Sequence, residues 1–145
     1  MSKQKESKKI SEEKLKEHYM EMKMIESQLK HLQQQIQQIE EQKVEVASTR
    51  EALDQIKSSE KEKEILSPIS QGIFIKSKLI DNQNVVVNVG ANVAVPKSID
   101  ETKKLIDKQL LELEKAENEL LSHLQKTDEE MTKKATMLQQ MMEHD

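Results

Sequence analysis

"ILSPISQGIFIKSKLIDNQNVVVNVGANVAVPK", residues 65–97, decides how this chain folds. On either side the sequence is made of Glu, Lys, Gln, Leu, Ile and Met, all strong helix formers except Ile. Within it, β-branched residues and turn formers take over. Both glycines (Gly72, Gly90) and both prolines (Pro68, Pro96) of the 145-residue chain fall inside it. The spacing predicts four short strands, at about 65–69, 73–80, 84–89 and 93–96, with turns at "SQG", "DNQN" and "GAN".

Alternation along these strands puts Ile73, Ile75, Leu79, Val85, Val87, Val89, Val93 and Val95 on one face, with Lys76, Lys78 and Asn88 opposite. A sheet of about thirty residues with one apolar face is marginal alone. Nothing in the chain covers that face except helix ends, so these eight residues are read as the oligomerisation surface, buried against other subunits.

Working outward, a heptad is written from about Ser11 to Lys63. One seam row is Leu15, Met22, Leu29 and Ile36, and the other is Ile25, Leu32, Ile39, Val46 and Leu53. Lys43 and Arg50 then occupy seam positions, which predicts packing that loosens toward the middle of the chain. On the other side "SIDE" offers an N-cap at Ser98 with Glu101 three residues later. A second heptad follows through Ile99, Ile106, Leu113, Leu120 and Met141, with Leu110, Leu124, Met131 and Leu138 as its second row; Glu117, Thr127 and Lys134 interrupt it.

The predicted class is therefore mainly α with a small β portion: a long antiparallel coiled-coil hairpin with two linked β-hairpins between the helices. Its parts are a flexible N-terminus (1–10), coiled-coil helix 1 (11–63), the β-hairpin region (64–97) and coiled-coil helix 2 (98–145). Each helix is about 70 Å long at 1.5 Å per residue. Folding back between them brings residues near 60 to residues near 100 and sets Met22 opposite about Leu138.

Composition excludes most other classes. Charged residues make up 34% of the chain, and Tyr19 and Phe74 are its only aromatics, which argues against a compact globular core. There is no cysteine, so disulfides, thiolate chemistry and cysteine-bound zinc are out. No apolar run is long enough for a membrane span, and "MSKQKESKKISEEK" has no apolar core for a secretory signal. The chain is read as soluble and cytoplasmic, with no membrane partner. The net charge of −4 is spread along both helices with a single arginine, Arg50, which argues against nucleic acid.

No residue set suggests catalysis. His18, His31, His123 and His144 lack a third ligand or a nucleophile, although the hairpin register brings His18 near His144. The isolated glycines cannot build a phosphate-cradling loop. The expectation is a protein that binds and does not catalyse, with no cofactor and no metal. The glutamines of "QLKHLQQQIQQIEEQ" lie on the wet side of a helix whose Leu29, Leu32, Ile36 and Ile39 keep heptad spacing.

The methionines carry the functional signal. Beyond Met1 they stand at 20, 22, 24, 131, 137, 141 and 142. Met22, Met131 and Met141 are seam residues, but Met20, Met24, Met137 and Met142 lie off the seam. Methionine is unbranched and polarisable and adapts to irregular apolar surfaces. Met20, Met24, Met137 and Met142 are the candidates for an adaptable apolar binding tip, and fraying of the helix ends would add Met22, Ile25, Met131, Leu138 and Met141.

The order of long helix, two linked β-hairpins and long antiparallel helix, with "ILSPISQGIFIKSKLIDNQNVVVNVGANVAVPKS" between the helices, resembles the α-type subunits of archaeal-type prefoldin, also called GimC. The sequence departs from that pattern at Asn92, where glycine is common, and at Pro96, where a polar residue is usual. The resemblance implies an ATP-independent holdase. It implies a hexamer of two α-type and four β-type subunits joined through their hairpins, with coiled-coil tips that grip non-native polypeptides and deliver them to a group II chaperonin. A structural coiled-coil adaptor with one dedicated partner is the alternative.

Overall fold

In the computed structural model, which describes residues 2–143, the element order is α1 (Ser2–Ser58), β1 (Glu64–Ser70), β2 (Ile73–Lys78), β3 (Asn84–Asn88), β4 (Ala94–Ser98) and α2 (Ile99–Glu143). Two long helices with two small antiparallel strand pairs between them are the class read from the sequence. Residues 2–10, expected as flexible, belong to α1; they hold no Pro or Gly to stop it. The helix ends at Ser58, short of Lys63. There the hydroxyls of Ser58 and Ser59 donate back to the Gln55 carbonyl at 3.1 and 2.6 Å. Serine side chains that bond helix carbonyls offer the backbone an alternative to another turn.

The chain divides into two compact units, Glu41–Glu114 and Met1–Glu40 with Lys115–Asp145. In the first, β1 pairs antiparallel with β2, and β3 with β4, as two separate two-stranded sheets. Turn chemistry explains their connections. Asp81 accepts the Gln83 and Asn84 backbone N–H groups at 2.8 and 3.1 Å, and this holds its carboxyl below the usual carboxylate range. Between β3 and β4, Ala91 and Asn92 both have positive φ, 51° and 60°, and the Val93 N–H closes the turn onto the Gly90 carbonyl at 3.0 Å. Two central residues at positive φ match the strand twist of a tight hairpin. Asn tolerates that conformation readily and Ala does not.

Ser98 is both the last residue of β4 and the cap of α2, its Oγ accepting the Glu101 N–H at 3.1 Å. Asp100 and Glu101 in the first turn complement the helix dipole. Beneath the hairpins Leu53, Ile99 and Ile106 form the core of this unit, with Val46, Ile56, Val85 and Leu110 packed around them. Ile99 is the most deeply buried of these, at 1% exposure.

The expected loosening of the packing toward mid-chain is therefore not what occurs. Arg50 does sit on the seam, but its Nε donates to Asp107 at 2.6 Å and its Nη1 lies 3.4 Å from Asp54. Asp54 also pairs with Lys103, and Lys57 with Asp100. The seam's polar position is satisfied across the helix pair while Leu53, Ile99 and Ile106 stay dry. Exposed ion pairs add little each, so the burial of these three side chains, roughly 1.5–3 kcal/mol apiece, dominates.

In the second unit Ile25, Leu32 and Ile36 are buried, and Leu29, Ile39, Leu120 and Leu124 are half-buried, all at seam positions. Thr127, read as an interruption, is instead buried in the seam, its hydroxyl donating to the His123 carbonyl at 2.8 Å. The pairing register differs from expectation. Lys134 pairs with Glu21, and Leu138 lines a groove with Leu15 and Tyr19, so Leu138 is not the partner of Met22. The offset is about five residues. In the other unit Lys57 meets Asp100, close to the expected pairing of residues near 60 with residues near 100.

Ile99→Ala should destabilise the folded chain by about 2–4 kcal/mol, because a large-to-small change in a closed core leaves a cavity. Val44→Ala, at an exposed helix position, should stay within about 0.5 kcal/mol. Denaturant unfolding of the two variants measures both.

Candidate functional site

The apolar feature of the unit built from Met1–Glu40 and Lys115–Asp145 is a groove of about 470 Å³ lined by Leu15, Lys16, Tyr19, Met20, Leu138 and Met142. Its lining is almost wholly apolar. It forms because Leu15, Tyr19 and Met20 share one side of α1, being four or five positions apart, while Leu138 and Met142 do so on α2, four apart. Lys23 sits over the Tyr19 ring, its Nζ 5.0 Å from the centroid.

All four off-seam methionines are exposed: Met20 at 68%, Met24 at 65%, Met137 at 44% and Met142 at 68%. Met20 and Met142 line the groove and Met24 and Met137 do not. Met22, Met131, Leu138 and Met141 are half-buried, and Ile25 is buried in the seam. Leu15 and Tyr19 also line the groove and were absent from the candidate set. Leu15 was assigned to the seam, and Tyr19, one turn further on, is the signal that marks the groove in the sequence.

Next to the groove, the Lys134 ammonium pairs with Glu21 and lies 3.3 Å from His18 Nδ1. The hydrogen bond from Lys134, reinforced by its charge, lowers the Glu21 pKa below its ordinary value. The seam lysine is thus held by a carboxylate. The suggested approach of His18 to His144 concerns a residue outside those described. Among the described residues no cluster of three His, Cys, Asp or Glu could hold a metal ion, and no helix is long and apolar enough to cross a membrane.

The hairpins form a second surface. Of the eight predicted oligomerisation residues, Ile73, Ile75, Val89 and Val93 are exposed, and Leu79, Val85, Val87 and Val95 are half-buried. Val85 and Val95 lie on the same face of β3 and β4, and Val85 packs on the core. The opposite faces are not purely polar. Pro68 faces Phe74 and Leu66 faces Lys76 across the first hairpin, and Val86 faces Pro96 across the second. Leu66, Phe74 and Val86 are exposed, as is Ile69, which stands at the register shift between Pro68 and Ser70. Both faces of each hairpin therefore offer apolar area to a neighbour.

A family model described as "Prefoldin subunit" matches residues 25–144. Prefoldin subunit alpha of Pyrococcus horikoshii is 36% identical over 124 residues, covering 83% of this chain and 84% of the relative. Prefoldin subunit alpha 1 of Thermococcus kodakarensis is 34% identical over 99 residues, 68% of each chain. Among solved structures, a chain of filamentous PFD from Methanocaldococcus jannaschii superposes with a TM-score of 0.70 at 18% identity. That match covers 77% of this chain and 93% of the other.

The Glu21 carboxylate should titrate below its ordinary value of 4.5, and Lys134→Ala should return it toward that value. Because the folded-state pKa is the lowered one, the pair's contribution to stability is complete above the ordinary value. It is lost as the pH falls through the lowered pKa. Side-chain carboxyl NMR shifts followed against pH in both proteins measure the difference.

Proposed function

Because this chain belongs to the prefoldin family, a family of chaperones that assemble from several subunits, we propose that it is the α-type subunit of an ATP-independent holdase acting in the cytoplasm. It assembles through its hairpins with β-type subunits, two α to four β, and binds non-native polypeptides through the ends of its coiled coil. The bound polypeptide passes to a group II chaperonin. No step in this cycle requires catalysis by the chain.

The observation that carries this reading is the concentration of exposed apolar side chains in the terminal segments of α1 and α2: Met20, Met24, Met137 and Met142, with the groove beside them. Exposed apolar area of this kind on a folded chain marks a binding surface. Methionine suits a site that must accept many sequences, because its unbranched side chain repacks at low cost. Each contact is weak, so several arms holding one client together supply avidity.

The hairpins support the assembly half of the reading. A lone two-stranded hairpin is at best marginal in water, and these two expose Ile73, Phe74, Ile75, Leu66 and Val86. A neighbouring subunit that covers both faces removes that area from water and occupies the open strand edges.

Assembled with a β-type subunit, the chain should suppress aggregation of a chemically denatured, unrelated protein. Changing Met20, Met24, Met137 and Met142 to Gln should weaken that protection while leaving the assembly's size unchanged. Equal protection would move the grip elsewhere, and no protection by either assembly would favour a dedicated adaptor. Independently, Phe74→Asp with Ile75→Asp should abolish assembly, seen as a fall in mass by light scattering. An unchanged mass would show that the hairpins are not the joint.

A further inference from the structure

The chain contains no cysteine and no tryptophan, and one tyrosine, so the thioethers of its methionines are the groups most open to oxidation by a peroxide. All seven methionines beyond Met1 lie in the unit built from Met1–Glu40 and Lys115–Asp145. Four of them are exposed, and three (Met22, Met131 and Met141) are half-buried in the seam. The buried apolar residues of the same unit, Ile25, Leu32 and Ile36, contain no sulfur. The fully buried side chains of this unit are therefore inert to peroxide, and the seam methionines Met22, Met131 and Met141 are less open to it than the four exposed ones.

Leucine would serve an exposed apolar helix position as well as methionine does in helix propensity. What methionine adds is adaptability and a sulfur that takes up oxygen. In the reaction a hydroperoxide transfers one oxygen atom to the thioether. The sulfur is oxidised by two electrons to the sulfoxide and the peroxide is reduced to water, or to an alcohol if alkyl. The product is a polar, chiral side chain with a strong hydrogen-bond acceptor. At Met20 and Met142 it would place that polar oxygen on the wall of the groove.

We propose that Met20, Met24, Met137 and Met142 form a peroxide-sensitive modification site that switches off the apolar binding surface while leaving the folded frame intact. The proposal rests on the client-grip reading above. Oxidation raises the cost of seating an apolar client segment, because each sulfoxide must give up its water to make the contact. Reduction of the sulfoxides by thiol-dependent reductases, one for each sulfur epimer, restores the thioether.

The test uses the chain assembled with a β-type subunit, treated with hydrogen peroxide and then freed of it. Peptide mass mapping should find the gain of about 16 Da per oxygen first at Met20, Met24, Met137 and Met142, and later at Met22, Met131 and Met141. Circular dichroism and assembly mass should stay unchanged while protection against aggregation falls. In an assembly carrying Leu at the four exposed positions, whatever protection is measured before peroxide should be the same after it, because no sulfur remains there to oxidise. Treating the oxidised native assembly with methionine sulfoxide reductases should bring protection back.

Oxidation spread evenly over exposed and seam methionines would overturn the proposal, as would full protection by an assembly mapped as oxidised at all four. Equal loss by the native and leucine assemblies would overturn it too, since the sensitive group would then lie in the β-type subunit. An untreated assembly that fails to protect sinks the client-grip reading and this proposal together. Protection that is merely insensitive to peroxide sinks this proposal alone.

Discussion

The structure depends on one constraint: an apolar stripe on a helix cannot be buried by the helix that carries it. Each helix of this chain has a seam of about one apolar residue per turn, and neither seam is dry without the other. Ile25, Leu32 and Ile36 in one unit, and Leu53, Ile99 and Ile106 in the other, are buried because α1 and α2 supply the two sides of the seam. The ion pairs at Arg50, Asp54, Lys103 and Asp107 are arranged around that burial. They satisfy the polar side chains that the repeat places at its edge, and their exposure keeps their energetic share small.

The same constraint explains which surfaces are left over. A hairpin of two strands has two faces and two edges, and here only part of one face finds cover within the chain, where Val85 meets the core. Leu66, Phe74, Ile75 and Val86 are left in water. The off-seam methionines are left there too, for a different reason: they stand at helix positions that no partner helix reaches. Assembly with other subunits is the proposed account of the first remainder, and binding of clients that of the second.

Much of this was legible in the sequence, because periodicity reports faces. The seam residues, the four strands, the Ser98 cap and the exposure of Met20, Met24, Met137 and Met142 all follow from counting positions. What counting cannot supply is the pairing of one repeat with another. A heptad says which residues face the seam, and several pairings across it satisfy the same pattern. Lys134 meets Glu21, and Leu138 lines a groove with Leu15 and Tyr19. Alternation likewise sorted the strand residues onto faces but not the opposing pairs. Phe74 and Val86 were passed over because their neighbours Lys76 and Asn88 made that side look polar.

The double role of Ser98 makes the two junctions of the hairpin region mechanically unlike. β4 passes into α2 with no intervening residue, and Ser98 carries a strand bond on one side and the helix cap on the other. Between α1 and β1, by contrast, lie the five residues 59–63, with Glu62 at positive φ. A torque on the second hairpin therefore passes straight into the first turn of α2, as through a welded bracket. The same torque on the first hairpin reaches α1 only through the hydrogen bonds that tie residues 59–63 to Ile56, Leu79 and Asn82.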